Sequence, residues 1–178
     1  MNSRIEELVE LLPPPSTPRN NQGDWSQLES SLGTRLPTDF KDFTGVYGTV
    51  KICNYLMIHT PFPFNQDYTE FLRSLCQEYD NVTGGRQNIP FPFFPKAGGL
   101  FGIGGTDNSD IISWITEGDP DDWGIFFWEW PGELTFTFKE LNLTGFLVEL
   151  ASMRSPLFPG SMPPTFFSEE NRSVVPTN

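Results

Sequence analysis

The chain of 178 residues predicts an α+β fold: a central, mostly antiparallel sheet, built as a meander, with flanking N-terminal, middle and C-terminal helices. Apolar residues recur at helical intervals in several stretches before residue 80, the period changes to two from Leu100, and helical spacing returns after Asn142. No internal repeat is visible, which argues against solenoids and propellers.

Ser3 and Glu6 have capping-box spacing. Ile5, Leu8, Val9 and Leu12 then line one face of a helix expected over 4–12, until Pro13, Pro14 and Pro15 stop it. The polar residues 16–23 form a connection. Asp24 caps a second helix with Trp25, Leu28 and Leu32 on its apolar face, and Gly33 stands where a left-handed residue is wanted. Pro37 suits a first helical turn and opens a third helix carrying Phe40, Phe43 and Tyr47 before Gly48. One strand is expected over about 49–58, with Val50, Ile52, Leu56 and Ile58 on one side and an interruption at Asn54.

Asn65 caps a long helix bearing Tyr68, Phe71, Leu72, Leu75 and Tyr79. The tract from Pro90 to Pro95 cannot sit in a central strand, because proline has no amide donor; it reads as an extended segment laying phenylalanines over an apolar face. Strands are expected at 100–106, 111–116, 123–129 and 133–138, separated by turn-forming groups at 107–110 and 118–121. Asn142 opens a last helix with Phe146, Leu147, Leu150 and Met153, ended by Ser155 and Pro156. A single domain over 1–155 followed by a proline-rich, loosely packed tail over 156–178 is the expected organisation.

Eleven Lys and Arg against 23 Asp and Glu leave a net charge of -12. That balance argues against nucleic acid and against anionic membranes as direct partners, since both are held by basic side chains. No apolar run suffices to span a bilayer, the N-terminus lacks a signal-peptide pattern, and Cys53 and Cys76 have no CxxC spacing. A cytoplasmic protein is the expectation.

His59 is the one imidazole, and its neighbours Ile58, Thr60 and Pro61 form no nucleophile motif, so it reads as a strand-end histidine rather than a catalytic base. Gly102, Gly104 and Gly105 lack the spacing of a phosphate loop and read as sites of bulge or close strand contact. Asp107 with Asp110, and Asp119 with Asp121 and Asp122, do not follow the calcium-loop ligand order and read as turn residues. No catalytic residue, metal or cofactor is expected.

Charge is distributed unevenly: residues 1–105 hold 8 basic and 11 acidic side chains, residues 106–178 hold 3 and 12. Between residues 117 and 133 stand Glu117, Asp119, Asp121, Asp122, Glu129 and Glu133, with Trp123, Trp128 and Trp130 and no basic residue. One reading makes Glu117, Asp119, Asp121, Asp122, Glu129, Trp130 and Glu133 a surface that steers and anchors a basic partner. The other buries Trp123 and Trp128 in the core and leaves the acids as a solvated rim.

The series Trp25, Leu28-Glu29, Leu32-Gly33, Leu36-Pro37, Asp39-Phe40, Phe43 and Tyr47-Gly48 resembles the opening signature of the SUKH superfamily, the Smi/Knr-like proteins. Gly102 to Gly105, Ile112-Ser113-Trp114, Asp119-Pro120, Asp122-Trp123 and Phe146-Leu147 extend the resemblance over about 24–154. It implies an α+β domain with a largely antiparallel sheet and no enzymatic activity. It also implies a binding role: bacterial members include immunity proteins that neutralise a cognate toxin, often a nuclease or deaminase, while fungal relatives act as regulatory interaction hubs; the acidic surface makes a basic toxin, a nuclease among them, the expected partner. An immunity protein is therefore the leading expectation and a scaffold that recruits a cellular partner the alternative.

Overall fold

The structure is a computed structural model that describes residues 3–62, 89–130, 134–153 and 167–177. Three helices come first: α1 (Ser3–Leu11), α2 (Trp25–Leu32) and α3 (Thr38–Tyr47). Strands β1 (Val50–Ile52), β2 (Leu56–Ile58), β3 (Leu100–Thr106), β4 (Ile111–Ile115), β5 (Gly124–Trp128) and β6 (Thr135–Phe138) follow, then helix α4 (Leu143–Ser152) and strand β7 (Val174–Pro176). The sheet order is β6-β5-β4-β3-β2-β1-β7, and every pair is antiparallel. The α+β class and the meander are as the residue pattern predicts. The long helix expected from Asn65 lies outside the described residues.

Local chemistry places the helix ends where the sequence marks them. Asp24 accepts the Gln27 amide at 3.0 Å, Gly33 ends α2 at φ +70°, and Asn142 accepts the Gly145 amide at 2.9 Å to start α4. Pro37 stands one residue before α3 and offers no side-chain acceptor to it. Helix α4 ends at Met153 in a left-handed conformation, φ +56°.

Two expectations change. The strand over 49–58 is a hairpin, because the chain reverses at Cys53 and Asn54, both at φ +52°. Reversal keeps Val50, Ile52, Leu56 and Ile58 buried together, so the alternation survives while the strand does not. Asn54, the interruption, is the turn; asparagine tolerates the left-handed region better than most residues. The tail expected to pack loosely from 156 returns to the sheet over 167–177. Phe167 is buried, and Val174, Val175 and Pro176 pair with Ile52, Lys51 and Val50. Pro176 is accommodated because β7 is an edge strand, where a missing donor leaves no inner ladder bond unmade.

Alternation along the strands divides the apolar residues between two faces. Phe101, Ile103, Ile112, Trp114, Ile125 and Phe127 meet the apolar faces of all four described helices in the main core. Trp114 is its centre, 4.9 Å from Phe40, 5.4 Å from Phe101 and 5.8 Å from Trp123 between ring centroids. Leu100, Ile115, Phe126 and Trp128 form a smaller cluster on the opposite face. Ile89, Phe91 and Phe93 cover it, with Phe91 5.5 Å from Phe126, as the proline–phenylalanine tract predicts. Gly104 allows the strands to approach: a Cβ there would lie 2.3 Å from the Met57 carbonyl oxygen. The register shift between Gly102 and Gly104 is the bulge expected of these glycines.

Buried polar contacts tie the layers together. Tyr47 Oη donates to the Leu12 carbonyl at 2.8 Å, fastening α1 to α3. Asp39 Oδ2 accepts from the Thr144 amide at 2.9 Å and the Thr144 hydroxyl at 3.2 Å, fastening α3 to the first turn of α4. Asp39 Oδ1 has no donor. Burial outweighs the Thr144 bonds and raises the Asp39 carboxyl above its ordinary 3.8. The folded protein therefore holds the proton more tightly than the unfolded chain. Stability from this group is lowest above the raised value and grows as pH falls through it towards 3.8. Asp39→Asn is expected to leave stability at neutral pH equal or higher and to remove this gain on acidification. Denaturant titrations of both proteins at neutral and mildly acid pH measure it.

Candidate functional site

Six of the seven residues of the acidic and aromatic stretch are described, and they occupy opposite ends of β5. Glu117, Asp119, Asp121 and Asp122 stand in the connection from β4 before its first residue, while Glu129 and Trp130 follow its last. Five strand residues separate the groups by about 17 Å at ~3.4 Å per residue. Glu133 lies outside the described residues. A single continuous patch is therefore not what the fold builds.

At the first end, Pro120–Asp122 form a short 3-10 turn that Asp119 opens by accepting the Asp121 amide at 3.0 Å. Arg35, from the connection between α2 and α3, spans two carboxylates. Its Nη2 lies 2.6 Å from Asp119 Oδ1 and its Nη1 lies 2.9 Å from Asp121 Oδ2. Asp121 Oδ1 also accepts the Thr38 amide at 2.6 Å, supplying from a distant loop the cap that Pro37 cannot give α3. Partial burial by itself pushes the Asp121 carboxyl up, but the Thr38 amide and the Arg35 guanidinium outweigh it and hold the group below its ordinary range. Asp119 and Asp121, though both exposed, thus fix the turn against the helices.

The other carboxylates at this end are exposed, as Asp119 and Asp121 are, but bond neither Arg35 nor Thr38. Glu117 lies 3.6 Å from Lys139 across a solvated pair, which contributes little to stability. Asp122 and Glu140 are exposed, and among the described residues neither has an ion-pair partner. Both line a cleft of about 480 Å³, together with Arg4, Asp121, Lys139, Leu141, Asn142 and Gly145.

At the second end, the Glu129 amide donates to the Leu134 carbonyl at 3.1 Å, and Glu129 Oε2 is shut away from solvent with no hydrogen-bond donor. The Trp130 ring is half-buried, 5.5 Å from Trp128 in the smaller cluster, and its amide donates to Asp110 Oδ1 at 2.9 Å. Trp123 and Trp128 are buried, so of the three tryptophans only Trp130 offers part of its ring outside. The reading that placed those two in the core describes them correctly.

Asp107 pairs with Lys51 at 2.7 Å, and Asp110 is buried among the Thr106 and Tyr55 hydroxyls, so the 107–110 turn spends both carboxylates within the fold. Among the described residues no three His, Cys, Asp or Glu side chains gather as metal ligands would. The His59 amide donates to the Ile103 carbonyl at 3.0 Å, and burial of its ring pushes the imidazole below its ordinary 6.5, towards the neutral form. No described helix is long and apolar enough to cross a membrane.

Sequence reasoning missed Arg35, Thr38 and Glu140. Arg35 lies more than 80 residues from the carboxylates it holds, and no periodicity links them. One signal was available: Pro37 before a helix leaves an orphan amide that some other acceptor must meet.

A family model described as SMI1 / KNR4 family (SUKH-1) matches residues 20–143, from the connection before α2 to the first residue of α4. No curated protein and no solved structure matches the chain.

Proposed function

Because the chain belongs to the SMI1 / KNR4 family (SUKH-1), we propose that it is a non-enzymatic binding protein of the immunity type, which neutralises a basic toxin by covering it. The observation that carries this reading is the pinned turn at the start of β5. Arg35 and Thr38 fix Asp119 and Asp121 in place, and all four carboxylates of this end, Glu117 and Asp122 included, are exposed to solvent. A surface ordered before contact loses less entropy on binding, and one sign of charge speeds encounter with a cationic partner. A toxin that grips phosphates with basic side chains presents that complement. Glu129 and Trp130, at the far end of β5, belong to a second contact in this reading, with Trp130 as its aromatic anchor.

The test is to co-express the chain with the product of an adjacent toxin gene, then follow growth and association in purified form. Rescue of growth is expected. Asp122→Lys is expected to slow association roughly tenfold or more at low salt and to flatten its salt dependence, leaving dissociation little changed. Asp121 is unsuited to this experiment, because its loss also uncaps α3. Absence of any complex, together with stable recovery of the chain on a housekeeping partner, would favour the scaffold reading instead.

A further inference from the structure

The two edges of the sheet differ in what they leave open. At β7 the Ser173 carbonyl accepts the Cys53 amide at 2.7 Å and the Thr177 amide donates to the Thr49 carbonyl at 2.9 Å. By alternation, Val174 and Pro176 turn their main chain away from β1, and Pro176 has no amide to offer, which blunts that edge. At β6 the Glu129 amide bonds the Leu134 carbonyl, and the register continues without a shift as Phe127 faces Phe136 and Ile125 faces Phe138. Leu134, Phe136 and Phe138 therefore turn their main chain to β5, while Thr135 and Thr137 each direct an amide and a carbonyl away from the sheet. Both threonines are exposed, and among the described residues no strand lies beyond β6. Residues 135–138 contain no proline, no charge and no bulge, the devices that keep strand edges apart. Ring contacts hold the edge in place: Phe136 lies 6.3 Å from Phe127 and Phe138 5.3 Å from Phe146 between centroids.

We propose that the β6 edge is a docking strand: an extended segment of the basic partner adds to it antiparallel, exchanging two main-chain bonds with Thr135 and two with Thr137. Its position joins the two acidic ends of β5. Leu134 stands opposite Glu129, and at the other end Lys139 lies beside Gly124, where an added Cβ would be 2.7 Å from the Lys139 Cα, next to the turn at 119–122. One added strand thus runs past both contacts. Charge selects the occupant. Residues 117–140 hold seven carboxylates and a single basic residue, Lys139, and counting Arg35 and Arg4 as well leaves the excess acidic. A second copy would bring the same excess on a chain of net charge -12 and be repelled, whereas a cationic segment is drawn in. Main-chain bonds supply affinity with little regard to the partner's sequence, and basic side chains at the ends of the segment supply selection. This docking strand rests on the binding-protein reading above and supplies the element that its two contacts share.

The experiment follows amide hydrogen exchange by NMR in the full chain alone, with the acetylated and amidated peptide Lys-Thr-Val-Thr-Val-Lys, and with the purified toxin of the adjacent gene. The Thr135 and Thr137 amides are expected to exchange freely in the chain alone and to slow roughly tenfold or more with the lysine peptide and with the toxin. The same peptide with glutamate at both ends is expected to leave them unchanged. Thr137→Pro removes an outward amide and no bond to β5, and is expected to weaken both complexes roughly tenfold or more; Thr137→Val keeps the amide and is expected to stay within about twofold of the parent. Should Thr137→Pro fail to fold, exchange of the two amides in the parent decides. Amides that stay unprotected in both complexes, or undiminished binding by a folded Thr137→Pro, would overturn the docking strand. Protection that appears in the chain alone and grows with its concentration would overturn it in favour of a second copy. Toxin neutralisation with both amides exchanging freely would remove the docking strand and keep the binding protein. Protection by the lysine peptide without neutralisation of any toxin would keep the docking strand and remove the immunity role.

Discussion

Alanine at position 48 is expected to destabilise the domain by about 3 kcal/mol or more, enough to remove much of the folded population of a protein of ordinary stability. Gly48 ends α3 at φ +65° and ψ -155°, a region that only glycine occupies readily. A Cβ there would lie 1.9 Å from the Arg19 carbonyl oxygen, and that oxygen cannot retreat, because it accepts the Thr49 amide at 2.9 Å. The comparison that isolates the clash is Gly33→Ala. Gly33 also has a left-handed φ, +70°, but an added Cβ meets nothing within 4 Å, so about 1 kcal/mol of backbone strain is all that is expected. Equal denaturation midpoints for the two variants would show that the contact with Arg19 carries no weight.

Asp110→Ala is expected to lower stability by about 3 kcal/mol. The carboxylate is 1% exposed and serves three elements at once. Its Oδ2 accepts the Thr106 hydroxyl at the end of β3 and the Tyr55 hydroxyl at 3.2 Å from the β1–β2 hairpin, and its Oδ1 accepts the Trp130 amide after β5. Alanine leaves these donors without an acceptor in a largely buried place, the condition under which a lost hydrogen bond matters most. Asn retains one acceptor oxygen and is expected to recover part of the loss in urea titrations. A variant as stable as the parent would mean that water replaces all three bonds. Loosening of Trp130 is the further expected consequence, read as a change in tryptophan fluorescence without change in the helical signal.

Much of the fold was legible because its causes are local. The strands at 100–106, 111–115, 124–128 and 135–138 coincide within two residues with the runs of period two, since alternation records directly which side faces a core. The caps at Asp24, Gly33 and Asn142 were readable because a capping side chain acts within three residues of itself. The hairpin at 53–54 was half legible. Asn54 marked a break, but alternation is the same whether a chain continues or doubles back at a break, so one strand and two look alike in the pattern.

The candidate site was less legible, and for the opposite reason. Glu117, Asp119, Asp121 and Asp122 read as four equal acids, yet Arg35 and Thr38 convert two of them into structural ties, although all four stay exposed. Glu129 and Trp130 read as neighbours of that group and prove to be a strand length away. Glu140 was passed over because it sits alone in sequence, and it comes to line the same cleft as Asp122 only when β6 folds beside β5.

Sequence alone determined the α+β class, the meander, most element boundaries, the acidic balance and the family resemblance, because hydrophobic period, cap chemistry and net charge act over a few residues or add without regard to position. Tertiary structure decided that β7 closes the sheet edge, that Asp110 is an internal acceptor, and which carboxylates are tied within the fold. Those depend on through-space distances of a few ångströms between residues far apart in the chain, 105 positions in the Asp39–Thr144 bond and more where β7 meets β1. No one-dimensional pattern encodes such a distance.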